Sequence, residues 1–211
     1  MTTTAPPAGQ AGQAGRAGQA GQAATATPRE RLLRAAAELF YAEGVNATGV
    51  DRLCRAAGVS KRSMYQLFAT KEALVAESLD RFGPLITARY LPVDPAAMSP
   101  RDAVLHVFEQ SDASTAEPGF HGCPFVSTAT ELRDPGHPAS AVARRHKSAL
   151  TDYFTAQARR GGAADPETLG AQLTVVFDGV AARAVVRGEG SGGLGRATAA
   201  VLLDAAGIVA G

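Results

Sequence analysis

The stretch Ala57-Gly58-Val59-Ser60 separates two short apolar-periodic runs and constrains the fold more than any other segment. Glycine permits the backbone conformation that a tight interhelical turn needs, and a serine just after it can cap the next helix. Before the turn, Val50, Leu53, Cys54 and Ala57 form one apolar face. After it, Ser60 opens a second run in which Val59 can pack on Met64 as a hydrophobic staple. The spacing therefore predicts helix, turn and helix between Val50 and Phe68. In that geometry the second helix offers its N-terminal residues to the major groove of DNA; here they are Lys61, Arg62 and Ser63.

The rest of the chain carries helical punctuation throughout. Thr27-Pro28-Arg29-Glu30 places a cap, a first-turn proline and a glutamate at the third helical position, with Leu32, Leu33, Ala36, Leu39 and Phe40 as the apolar stripe that follows. Thr48-Gly49-Val50-Asp51 resembles a second capping box, and Thr70 caps a fourth helix that Gly83-Pro84 is expected to end. Further helical runs, at about 100–114, 124–133, 139–160, 166–188 and 194–209, are separated by Gly/Pro clusters, and no alternating strand pattern competes with them. The expected fold is all-α, with about nine helices. Residues 1–27 read as a disordered, low-complexity tail, 28–82 as a helix-turn-helix domain and 83–211 as a second helical domain. In the last two runs, Leu169, Leu173, Val176, Phe177, Val180 and Ala184, with Ala199, Leu202, Leu203, Ala206 and Val209, suggest two smooth faces suited to a four-helix homodimer interface.

Charge alone does not point to DNA. The 211 residues carry a formal net charge of +1, so nucleic-acid binding would need a local patch. Residues 28–82 hold nine Lys/Arg against seven Asp/Glu, a balance of +2. The placement is more telling than the total, because Lys61, Arg62 and Lys71 have no acidic residue between Asp51 and Glu72. The longest apolar stretches fall far short of the ~20 residues that span a bilayer, and the N-terminus has no secretory pattern. A cytoplasmic protein without membrane contact is expected. Cys54 and Cys123 fit a reducing compartment without a structural disulfide. The four histidines and two cysteines lack paired metal-ligand spacing, so neither a metal nor a cofactor is expected.

Between Arg31 and Leu79 stand Ala35-Ala36-Ala37-Glu38-Leu39-Phe40, Gly44, Thr48, Ala56-Ala57-Gly58-Val59-Ser60, Met64-Tyr65, Phe68 and Lys71-Glu72-Ala73-Leu74. Through these residues the stretch resembles the DNA-binding domain of the TetR/AcrR family of transcriptional regulators. The resemblance implies that Thr48 meets a phosphate through its hydroxyl or amide, that Tyr65 touches the DNA backbone, and that Lys71 opens the fourth helix toward phosphate. Lys61, Arg62, Ser63 and Gln66 would reach bases or their phosphates, whereas Met64 and Phe68 belong to the core. Many relatives carry a polar or aromatic residue where Leu67 stands, and often a hydroxyl where Gly49 stands.

The resemblance further implies a C-terminal half that senses a ligand. Phe108, Cys123, Phe125, Tyr153 and Phe177 are the candidate ligand-binding residues. Gly122-Cys123-Pro124 is similar to a motif of one TetR subgroup, and a thiol at a helix start could be acidified and reactive, although a small buried hydrophobe is the plainer reading. Asp178 and Arg183 are candidates for ligand contacts or dimer pairing. The function expected is a repressor released from a palindromic operator by a small molecule. The alternatives are a ligand-independent architectural DNA binder and a thiol-dependent enzyme using Cys123 with His121; an enzyme is not expected.

Overall fold

The computed structural model describes residues 26–209; residues 1–25, which hold nearly all of the low-complexity tail, lie outside the described residues together with 210 and 211. Among the described residues there are nine α-helices, one 3-10 turn and no strand. They are α1 (Pro28–Glu43), α2 (Val50–Ala57), α3 (Lys61–Leu67), α4 (Lys71–Ala88), α5 (Pro100–Ser114), α6 (Pro124–Leu132), α7 (Pro138–Arg160), α8 (Pro166–Arg187) and α9 (Leu194–Ala205), with the 3-10 turn at Pro95–Ala97.

The expected start signals hold for α1, α3 and α4. Thr27 Oγ1 accepts from Glu30 N at 3.2 Å and Glu30 returns the bond to Thr27 N at 2.8 Å. Ser60 and Thr70 cap α3 and α4 through Ser63 N and Ala73 N. The box expected at Thr48 does not form. Gly49 is the cap residue of α2 and makes no side-chain bond, while Thr48 is fully buried and donates to Gly44 O at 2.7 Å.

The fourth helix also departs from expectation, running through Gly83-Pro84 to Ala88. An internal proline costs about 3 kcal/mol, and packing on both sides of it offsets that penalty. Leu79 before the proline and Ile86 after it join one cluster with Phe125, Val142 and Ala143. Close approach favours glycine at 83, because a Cβ there would strike the His146 ring of α7. The fourth helix thus serves both halves of the molecule.

Two larger cores flank this junction. Leu32, Leu33, Ala36, Leu53, Cys54, Ala57, Met64, Phe68 and Leu74 unite α1 to α4. Val104, Val107, Phe108, Phe154, Leu169, Leu173, Phe177, Ala199 and Leu203 unite α5, α7, α8 and α9. Helix α9 is preceded by Gly193 at the cap position, which has no capping side chain. Asp112 of α5 supplies the missing acceptor, taking Gly195 N at 3.1 Å and Arg196 N at 2.9 Å where the positive helix end favours a carboxylate. By length and composition α8 could cross a bilayer, but it packs against α7 and α9 with its Leu169, Leu173 and Phe177 stripe in the core.

Candidate nucleic-acid interface

Helix α3 is held by its inner face and presents the other. Met64 and Phe68 are buried against α1 and α2, as their spacing implied. Gly58 takes the left-handed conformation (φ +62°), which ends α2 and lets Val59 N donate back to Cys54 O at 3.0 Å. Arg31 of α1 secures this turn by donating from Nε to Ala57 O at 2.9 Å and from Nη2 to Gly58 O at 3.4 Å. A guanidinium at a helix C-terminus also complements its negative end. The sequence places Arg31 merely outside an apolar stripe, and nothing local signals this role.

On the outer face lie Lys61, Arg62, Tyr65 and Gln66, all exposed, with Tyr65 at 51%. Ser63 is half-buried and its hydroxyl shares a 2.9 Å bond with that of Ser60. Two basic residues are less free than the sequence suggests. Lys61 pairs with Asp51 at 2.8 Å, a contact that raises the ammonium pKa through its hydrogen bond and charge. Lys71 turns inward, donating to Val45 O at 2.6 Å with its ammonium 6.0 Å from the centre of the Phe40 ring. Lys71 thus reaches into the α1–α2 turn, and the Thr48 hydroxyl is enclosed beneath that turn, bonded to Gly44 O, where the resemblance implies phosphate contacts for both. Among the described residues Arg62 has no such partner, and it is the most available cation on α3.

A cleft of about 490 Å³ opens between α1, α4, the α5–α6 connection and α6. Its walls include Tyr41, Phe82, Phe120 and Pro124, with Arg34, Glu38 and Glu131 among the polar groups. It shares Ile86, Tyr90 and Gly122 with an inner cavity of about 30 Å³ lined by Cys123, Phe125, His146, Lys147 and Phe177. The inner space suits a water molecule; the outer one has the size of a small-molecule site.

Residues 32–78 match the family model for bacterial regulatory proteins of the tetR family. A tetR transcriptional regulator from Streptomyces avermitilis, known from its crystal structure, is 47% identical, with a TM-score of 0.83 over 86% of this chain and 99% of that one. The chain belongs to the TetR family. A second solved TetR-family regulator, from Streptomyces coelicolor, is 27% identical with a TM-score of 0.73 over 85% of this chain and 93% of its own. The HTH-type transcriptional repressor KstR2 of Mycolicibacterium smegmatis is 34% identical over 86 residues, 41% of this chain, and that stretch spans only 42% of the relative's length. TetR regulators bind operator DNA and are typically dimeric, and the family is one of transcriptional regulators rather than of enzymes.

Within this TetR-family chain, the expected ligand-binding residues divide. Cys123, Phe125 and Phe177 border the inner cavity. Phe108 and Tyr153 do not: Phe108 is fully buried and stacks on Phe154 at 5.6 Å, and the Tyr153 hydroxyl donates to Ala103 O at 3.1 Å, while burial pushes its pKa up to about 12. Both belong to the α5–α7 core. The helix start does not acidify Cys123. Burial raises its thiol pKa, outweighing the opposing influence of Lys147 and of the nearby amides. Its neighbour His121 is engaged instead with Tyr41, taking an edge-on ring contact at 5.4 Å and donating from its backbone N to the Tyr41 hydroxyl at 2.9 Å. Asp178 pairs with Lys147 across α7 and α8, and Arg183 lies 3.3 Å from Glu189.

The smooth faces assigned to dimerisation also need correction. Leu169, Leu173, Phe177, Val180, Ala184, Ala199 and Leu203 are buried within the chain itself. The large apolar side chains that α8 and α9 leave outside are Val175 (71% exposed), Val185 (50%), Val186 (85%), Leu194 (48%) and Val201 (66%).

Proposed function

We propose that this regulator binds a palindromic operator as a homodimer, acts as a repressor, and leaves DNA when a small molecule occupies the cleft beside α4. One observation carries the DNA reading: α3 is anchored by Met64 and Phe68 while Lys61, Arg62, Tyr65 and Gln66 stand exposed on its other side. In this reading Arg62 and Gln66 meet guanine and adenine edges or their phosphates, and Tyr65 and Ser63 meet the backbone. Thr48 and Lys71 act from behind, shaping the turn that carries α2. The domain division falls within α4, at about residue 82, so that this helix belongs to both units. Homodimerisation through α8 and α9 sets two copies of α3 one DNA turn apart, about 34–36 Å. The cleft favours a ligand-responsive regulator over a purely architectural binder, because its volume lies directly between the reading head and the sensor helices. Ligand would then shift the population away from the spacing that fits DNA.

The test is enrichment of duplexes from a random pool, followed by anisotropy titration in rising salt. A symmetric consensus with a steep salt dependence is expected. Failure to enrich any sequence at low salt would refute the reading.

A further inference from the structure

The turn between α1 and α2 is gripped from the other half of the molecule. Glu131, near the end of α6, accepts from Val45 N at 2.8 Å through one carboxylate oxygen and from Asn46 N at 2.6 Å through the other. Asn46 Nδ2 donates to the Glu131 carbonyl at 3.3 Å. These partners are 85 and 86 residues apart in the chain. Charge-assisted bonds to a carboxylate are about twice as strong as neutral ones, and a two-oxygen grip fixes direction as well as distance. From the opposite side Lys71 holds Val45 O at 2.6 Å. A side chain at Gly44 would come within 3.0 Å of the Glu131 carboxylate, so the residue there is small where the two units meet.

Helix α6 has only nine residues, and its two ends do different things. Its first residues, Pro124 and Phe125, line the inner cavity, while Glu131 and Gly44 both border the large cleft. A short rod of this kind moves as one piece. Whatever shifts its cavity end shifts the carboxylate that holds the reading head.

We propose that Glu131 is a positioning residue for DNA binding: it fixes the angle of the helix-turn-helix unit on the sensor half, and so the separation of the two reading helices. The inference rests on the dimeric, palindrome-binding reading above. Its consequence is selective. A single head needs no fixed angle to enter one half-site, whereas two heads joined through α8 and α9 must both be aimed correctly to gain from their linkage.

The experiment compares two duplexes, the palindrome enriched by the wild-type chain and the same duplex with one half scrambled. Wild type, Glu131→Gln and Glu131→Asp are titrated on both, and amide exchange at Val45 and Asn46 is followed by NMR. Glutamine keeps the shape but offers one acceptor in place of two, and aspartate keeps the charge at a shorter reach. For the wild type, the palindrome should bind at least about a hundredfold tighter than the half-site, as expected for linked binding. In Glu131→Gln that ratio should fall at least about tenfold as the linkage gain is lost, with faster exchange at Val45 and Asn46 and half-site affinity preserved. Glu131→Asp should lie between, and decides the matter if the glutamine variant fails to fold. An unchanged ratio despite faster exchange overturns the inference, as does an equal loss on both duplexes, which would mark Glu131 as a residue that only keeps the head folded. A wild-type chain without preference for the palindrome removes the two-headed reading and this inference with it.

Discussion

Val175→Asp separates assembly from folding, because Val175 is 71% exposed on the outer face of α8. A fully buried valine contributes about 1.5 kcal/mol, so a partner covering Val175 has roughly 1 kcal/mol left to gain at each copy. Aspartate removes that gain and must itself be desolvated, at several kcal/mol per carboxylate. A two-fold interface meets the change twice, for a total on the order of 5 kcal/mol, or about a 10³- to 10⁴-fold weaker dimer. The isolated chain should lose no more than about 0.5 kcal/mol, as for other exposed substitutions. Sedimentation velocity across the micromolar range should show a monomer, while circular dichroism keeps its helical signal and palindrome affinity falls to the half-site level. A dimer that persists with an unaltered melting curve would show that the outer face of α8 is not the interface.

Gly170→Ala in α8 should destabilise the chain by about 1–2 kcal/mol in a urea melt. The new Cβ would meet Thr155 backbone atoms of α7 at 2.9 and 3.0 Å, and overpacking of about 1–3 kcal/mol outweighs a helix-propensity gain of at most about 1 kcal/mol; a stabilised variant would contradict the tight α7–α8 crossing. Asp51→Asn should release Lys61 and remove a negative charge near the groove-facing end of α3, tightening duplex binding and steepening the log Kd against log salt plot by about one phosphate contact. An unchanged slope would place Lys61 away from phosphate. His146 gives a pH signature: burial lowers its pKa below the ordinary 6.5 despite the nearby Asp80 carboxylate, so the unfolded chain takes up the proton first. Its neutral form costs no stability above pH 6.5, and stability should fall as pH drops from there toward the lower folded value. The decline should flatten in His146→Gln, measured as melting temperature against pH; an equal slope in both proteins would refute this assignment.

What the sequence determined by itself is local. The capping signals at Thr27, Ser60 and Thr70, the turn at Gly58 and the inward pair Met64 and Phe68 all depend on residues within a few positions of one another, and helix geometry converts such spacing directly into faces. Tertiary structure decided matters in which the partner is distant. Pro84 sits inside α4 because α7 and α6 pack on both sides of it. The apolar residues of α8 and α9 divided between core and surface according to which neighbours arrived, a choice that a helical period cannot make when several faces are apolar. Phe108 and Tyr153 went to the α5–α7 core, the amides of Val45 and Asn46 found Glu131, and Lys71 turned toward Val45, because each of these partners lies on an element distant in the chain that only packing brings within reach.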